Sequence, residues 1–216
     1  VQIVAGDTKV VENGAADKVF ITTTAIGEPF FEGYSPKPSK IRPGDSIILS
    51  GDIARHGAAL LAARNNIEIQ NVIESDCEYI APVVQALLAD LSWIVCLRDL
   101  TRGGLGAALD EISKACEYDF EIAESEIAIS ESVRSVCEVF GIDPIFSACE
   151  GRMILFVDSS KAESLLLKMR AQNSTKDAAI IGKVLSTKNK RVKVKSRFGS
   201  TQLLQLFSGE QLPRIC

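Results

Sequence analysis

Long apolar runs, paired cysteines, histidine and excess positive charge are what this chain of 216 residues has least of. No apolar stretch approaches the roughly 20 residues a helix needs to cross a bilayer, and the longest are short, such as residues 91–97, so a membrane span is excluded. A secretory signal would begin with basic residues and an apolar core, whereas this chain opens Val1-Gln-Ile-Val and runs at once into Gly6-Asp-Thr-Lys. It also opens without Met, which suggests a piece of a longer protein. The six cysteines, Cys77, Cys96, Cys116, Cys137, Cys149 and Cys216, form no C-x-x-C pair, and the single histidine cannot complete a Cys/His zinc set. Free thiols in a reducing, cytoplasmic compartment are the simpler account. Twenty-four Lys and Arg stand against 28 Asp and Glu, and only residues 188–197 are locally basic, so nucleic acid is not an expected partner. Internal repeats and low-complexity tracts are missing too.

What remains is an ordinary globular composition, 46% hydrophobic and 24% charged, long enough to bury a core. Alternating residues at 1–5 and 18–24 predict two strands joined through Asn13-Gly14, and residues 1–32 read as the remnant of a larger domain. Pro36, Pro38, Pro43 and several glycines make residues 33–45 a linker. A buried strand at 46–50 and a small-residue helix at 58–64 follow. Ser75 and Glu78 form a capping-box pattern ahead of Ile80, Val84, Leu87, Leu88 and Leu91 on one helical face. Further on come a strand at 93–97, a helix through Leu105, Ala108, Leu109, Ile112 and Ala115, and another near 131–140. The strand 153–157, a helix capped by Ser160 and Glu163, and strands at 178–184 and 192–194 complete an α/β alternation over 46–205. Residues 206–216 lack any period, contain Pro213 and end in a thiol, so they read as a flexible tail.

Five places hold residues with chemical potential. Asp99-Leu-Thr101-Arg-Gly103-Gly104 joins a strand to a helix start, where amides and the helix dipole suit a phosphate; it is equally an ordinary tight connection. Gly6-Asp7-Thr8-Lys9 offers an acid for a metal and a lysine for phosphate or base chemistry, or is simply a polar loop. Glu150 stands at a strand entrance, where partial burial would favour a general base, against the alternative of a solvated acid. His56 either bonds a ligand or serves the fold. Cys216 is a terminal thiol beside Arg214, and is either chance or function.

These pieces together resemble one family. Ile3-Val-Ala-Gly-Asp-Thr-Lys-Val-Val, Ser75-Asp-Cys77, Arg98-Asp-Leu-Thr-Arg-Gly-Gly104, Glu150-Gly151 and above all the closing Pro213-Arg-Ile-Cys216 are similar to the hydrogenase expression/formation proteins of the HypE family. That family belongs to the superfamily of aminoimidazole ribonucleotide synthetase, selenophosphate synthetase and thiamine-monophosphate kinase. The resemblance covers nearly the whole chain and implies the C-terminal domain of that superfamily's α/β (α+β sandwich) fold, a mixed sheet flanked by helices. It implies that a partner carbamoyltransferase loads a carbamoyl group onto Cys216, that ATP and Mg2+ drive its dehydration to a thiocyanate, and that an iron-carrying scaffold complex receives cyanide for [NiFe] hydrogenase. By position, Cys216 is the carrier, Lys9 and Glu150 match the deprotonating pair, and Asp7, Thr8, Asp99, Thr101, Gly103 and Gly104 handle nucleotide, with Asp7 at the metal. Cys149 stands where the resemblance leads one to expect asparagine. The family's preceding ATP-binding half, through which it forms homodimers, is not in this sequence, so the chain alone is expected to turn over little. A ligase or kinase of the same superfamily acting on a free small molecule needs no terminal thiol, and a non-catalytic maturation adaptor needs the tail's shape but not its sulfur.

Overall fold

Seven short strands form one mixed sheet among the described residues, which in this computed structural model are 1–29, 31–67 and 72–205. They are β1 (Ser46–Leu49), β2 (Ile94–Asp99), β3 (Phe120–Ala123), β4 (Met153–Val157), β5 (Ala179–Val184), β6 (Val192–Lys195) and β7 (Thr201–Leu203). Their spatial order is β2-β4-β1-β5-β3-β6-β7, and every neighbouring pair is antiparallel except β3 with β6. The helices are α1 (Arg55–Arg64), α2 (Ala81–Ala86), α3 (Gly104–Cys116), α4 (Glu131–Phe140) and α5 (Ser159–Arg170).

β4 explains the layering. Successive strand side chains point to opposite faces, so a strand with all five residues buried must be covered on both. Ile154 and Phe156 join the core made with Leu105, Leu109 and Ile112 of α3, Val133 and Val136 of α4 and Ala58 of α1. α5 packs on β1 and β5 through the opposite layer, burying Ala162, Leu165, Leu166 and Met169. Phe120 and Phe156 meet at the centre with ring centroids 5.0 Å apart, a tilted pair. Within 33–45, Pro38–Lys40 forms one turn of 3-10 helix and Ile41 is buried in the core. None of the described helices is long and apolar enough to cross a membrane.

The structure places several elements differently from the sequence reading. Ser75 and Glu78 do not cap a helix: α2 starts at Ala81 with Pro82 in its first turn, and the expected long helix breaks into six residues followed by a 3-10 stretch, Leu88–Trp93. Proline is tolerated there because the first amides of a helix have no partner, so Pro82 marks the start. Asp158, not Ser160, caps α5, its carboxylate accepting from the Ser160 amide at 2.8 Å. β3 and β7 are too short to give a periodic signal.

The chain divides into two units, Val1–Tyr34 and Ser35–Cys216. In the first, the Ala15 amide closes on the Glu12 carbonyl at 3.0 Å and Gly14 has φ +87°, which is the expected turn. The strands expected at 1–5 and 18–24 are not formed, and Val1, Ile3, Val4, Val19, Phe20 and Ile21 are exposed. Alternation alone makes no strand without a partner ladder, and among the described residues of this unit no partner pairs with either segment. The tail at 206–216, with Cys216, lies outside the described residues.

Candidate functional site

At one end of the sheet the chain leaves β1 and β2 and enters β4, because these strands run antiparallel with Leu49 opposite Ile154 and Asp99 opposite Met153. The three connections at this end are stitched together through the backbone. Leu100 donates to the Arg152 carbonyl at 3.1 Å, Cys149 to the Leu100 carbonyl at 2.9 Å, and Ser50 to the Met153 carbonyl at 3.0 Å. Met153 in turn donates to Ser50 Oγ at 2.9 Å.

Arg152 holds the site's interior. It is 5% exposed, and its guanidinium donates to Asp52 Oδ1 at 2.7 Å, to the Asp52 carbonyl at 3.0 Å and to the Gly151 and Ser174 carbonyls, both at 3.3 Å. Glu78 Oε2 lies 3.4 Å away, and the other oxygen of Asp52 pairs with Arg55 at 2.7 Å. Burial disfavours the Arg152 charge, but the bonds to Asp52 and the nearby Asp76 and Glu78 carboxylates outweigh it and raise its basicity.

Glu150 is set by a buried acid. Its amide donates to Asp76 Oδ1 at 3.0 Å, and Asp76 is 2% exposed. Gly151 makes this approach possible: a Cβ there would sit 2.1 Å from the Asp76 carbonyl oxygen. The Glu150 carboxylate lies 3.9 Å from His56 Nε2, near the start of α1. On its other side His56 Nδ1 is 2.9 Å from Ser75 Oγ and 3.7 Å from the exposed thiol of Cys77. Cys149, beneath Glu150, is fully buried; its sulfur accepts from the Ala54 amide at 3.3 Å, and burial pushes its thiol up to about 12. It thus fills a packing and hydrogen-bonding position in which burial disfavours the thiolate.

The Asp99 turn lies alongside. Thr101 Oγ1 donates to Asp99 Oδ2 at 2.5 Å, and the Gly104 amide closes the turn on the Thr101 carbonyl at 3.1 Å. Gly103 and Gly104 have φ of +70° and +58°. A Cβ at Gly104 would lie 2.4 Å from the Ser147 carbonyl oxygen, so packing of α3 against the segment before β4 requires this glycine independently of any ligand.

Of the residues singled out from sequence, Glu150 and the Asp99–Gly104 turn are therefore joined by direct backbone bonds between their loops. Asp7, Thr8 and Lys9 belong to the Val1–Tyr34 unit, where the Thr8 amide donates to Asp7 Oδ1 at 2.9 Å and all three are exposed. Cys216 lies outside the described residues. Among the described residues no cluster of three His, Cys, Asp or Glu side chains could hold a metal on its own. Asp52, Asp76 and Arg152 escaped the sequence reading as site residues, although burial of an arginine always demands a carboxylate from somewhere.

Comparison with known proteins gives this arrangement a family. Residues 42–195 match the family described as AIR synthase related protein, C-terminal domain. The whole chain is 42% identical to the carbamoyl dehydratase HypE of Azotobacter vinelandii, and spans 63% of that protein's length. A crystal structure of hydrogenase maturation protein HypE in complex with ATP superposes on 84% of this chain and 55% of that one, with a TM-score of 0.78 at 32% identity. HypE in a HypE–HypF complex superposes on 78% and 54%, with a TM-score of 0.73 at 34% identity. A match over this much of the sequence shows that the chain belongs to the AIR synthase related family through that family's C-terminal domain.

Proposed function

We propose that this chain forms part of a cytoplasmic carbamoyl dehydratase of [NiFe] hydrogenase maturation, using ATP to convert an S-carbamoyl group on Cys216 into a thiocyanate. The amide oxygen is a poor leaving group until it carries a phosphoryl group. The carbamoyl oxygen attacks the γ-phosphorus of ATP and ADP departs; loss of the two N–H protons then expels phosphate and leaves a C≡N bonded to the Cys216 sulfur. Glu150 and Lys9 take the protons in this reading. Asp99, Thr101, Gly103 and Gly104, at the start of α3, and Asp7 with Thr8 handle the nucleotide.

Mg2+ commonly takes one or two protein carboxylates and completes its shell with phosphate oxygens and water, so isolated exposed acids such as Asp7 and Asp99 suit it where a cage of several carboxylates would not. Asp7 would hold it, and when bound the ion neutralises charge on the phosphates. The cyano group passes from Cys216 to an iron-carrying scaffold complex. The loading partner is a carbamoyltransferase, consistent with the HypE–HypF complex, and the longer protein acts as a homodimer. This chain by itself turns over little.

The observation that supports the reading most is Glu150, fixed by Asp76 and bonded through its loop to the Asp99 turn. The test is mass spectrometry of the longer protein after incubation with the carbamoyl donor system and ATP. Cys216 gains a carbamoyl adduct that then loses one water; an unmodified Cys216 refutes the carrier role, and a carbamoyl adduct that persists with ATP refutes the dehydration.

A further inference from the structure

We propose that His56 is a positioning residue for Glu150, held in a single tautomer by Ser75; the proposal rests on the reading of Glu150 as the base. The direction of the hydrogen bonds carries it. The Cys77 amide can only donate, and it donates to Ser75 Oγ at 3.1 Å. A hydroxyl that accepts from an amide still has its own proton to give, and His56 Nδ1 stands 2.9 Å from that oxygen, so Ser75 is assigned as the donor of this pair. Nδ1 then accepts, the ring proton resides on Nε2, and Nε2 is the atom that faces Glu150 Oε1 at 3.9 Å. A small closing movement or one bridging water completes the chain to the carboxylate. The Cys77 thiol, at 3.7 Å from Nδ1, is a weaker and more distant donor than the hydroxyl.

Several of the charges in the neighbouring loops have partners of their own. Arg55 and Arg152 are engaged by Asp52, Glu78 lies against Arg152, and Asp76 accepts the Glu150 amide. His56 side chain is 13% exposed and that of Glu150 23%, a carboxylate at the mouth with an imidazole behind it. A histidine so oriented fixes which way a general base points, the role that outer carboxylates and carbonyls play for ligating histidines with the polarity reversed.

His56 is the only histidine in the sequence, so its ring nitrogens can be read without assignment by long-range proton–nitrogen-15 correlation in this chain, at a pH where the ring is neutral. The wild type is expected to carry its proton on Nε2, with the Nδ1 resonance moved upfield by the serine hydrogen bond and the shift lost in Ser75→Ala. A proton on Nδ1 overturns the proposal, as does a Ser75→Ala spectrum identical to wild type. In the longer protein, His56→Leu is expected to slow dehydration of the carbamoylated thiol about 10- to 100-fold at unchanged KM for ATP, while His56→Gln, which keeps a donor, recovers part of the loss. If Glu150→Gln abolishes dehydration and His56→Leu does not slow it, the positioning role falls and the base stands. If neither variant slows it, the assignment of Glu150 itself falls.

Discussion

Replacing Arg152 with methionine keeps an unbranched apolar side chain and removes the guanidinium that ties four segments together. The lost contacts are the 2.7 Å pair with Asp52, the donors to the Asp52, Gly151 and Ser174 carbonyls and the looser approach to Glu78. Removing one partner of a buried pair costs about 3–5 kcal/mol, because the other charge is left without compensation. Here Asp52 keeps Arg55 at 2.7 Å and its side chain is 18% exposed, which places the cost at the low end, about 3 kcal/mol. For a fold of this size that corresponds to a melting temperature lower by about 6–12 °C, measured by calorimetry and checked by urea titration. Asp52→Asn in the same background supplies the control. The two substitutions share one interaction, so the double variant should be less destabilised than the sum of the singles by about 1 kcal/mol or more. A melting temperature within about 2 °C of wild type, or strict additivity, would show that Arg152 is not the clamp described.

Asp119 is buried and accepts from Thr187 Oγ1, Asn189 Nδ2 and the Asn189 and Arg191 amides; burial opposes its charge, but these bonds prevail and hold its carboxyl down at about 2. Its folded-state value lies below the unfolded one near 3.9, so its stabilisation is complete above about pH 5 and is lost as pH falls toward about 2. Urea midpoints measured between those limits should fall less steeply in Asp119→Asn than in wild type; parallel curves would refute this. For the thiols, Cys96, Cys116, Cys137 and Cys149 are buried, and burial pushes Cys96 and Cys137 up to about 11 and Cys149 to about 12, whereas Cys77 is exposed. Brief iodoacetamide treatment of the native chain near pH 8, followed by peptide mapping, should therefore modify Cys77 and spare those four; early labelling of Cys149 would contradict its place in the core.

The sheet was legible where side-chain period and burial agree. Met153–Val157 is an unbroken apolar run and is a strand buried on both faces, and Glu131–Phe140 carries its apolar residues at helical spacing between Ser130 and Gly141, which close its two ends. It was illegible where tertiary partners decide. Phe120–Ala123 contributes only four residues between β5 and β6, and its close approach to β5 depends on Gly182, where a Cβ would lie 2.1 Å from the Glu121 carbonyl oxygen. Residues 1–5 and 18–24 show the converse: alternation states which face would be buried, and among the described residues of that unit no ladder is present to bury it.

The site divides along the same physical line. Asp99, Thr101 and Glu150 could be singled out as candidates because each sits in a short motif whose chemistry is local, a turn beside a strand end. Asp52 and Arg152 are 100 residues apart, and nothing near either one says that their charges cancel. Gly151 is the same case in backbone form, since the atom that excludes a side chain there is the carbonyl of Asp76, in a loop 75 residues earlier. Ser75-Asp-Cys77 looks like the beginning of a helix from its own spacing with Glu78, yet its groups are used otherwise: buried Asp76 accepts the Glu150 amide, Ser75 Oγ lies against His56 Nδ1, and the Cys77 amide donates to Ser75 Oγ. A capping box satisfies a helix's own amides; here Asp76 satisfies a donor on another loop and Ser75 reaches across to α1, and that choice is made by what the antiparallel β1, β2 and β4 bring to one end of the sheet. The polar groups that set Glu150 in place must therefore be sought among the partners demanded by buried charges, since a buried arginine or aspartate fixes its neighbours more tightly than any local pattern does.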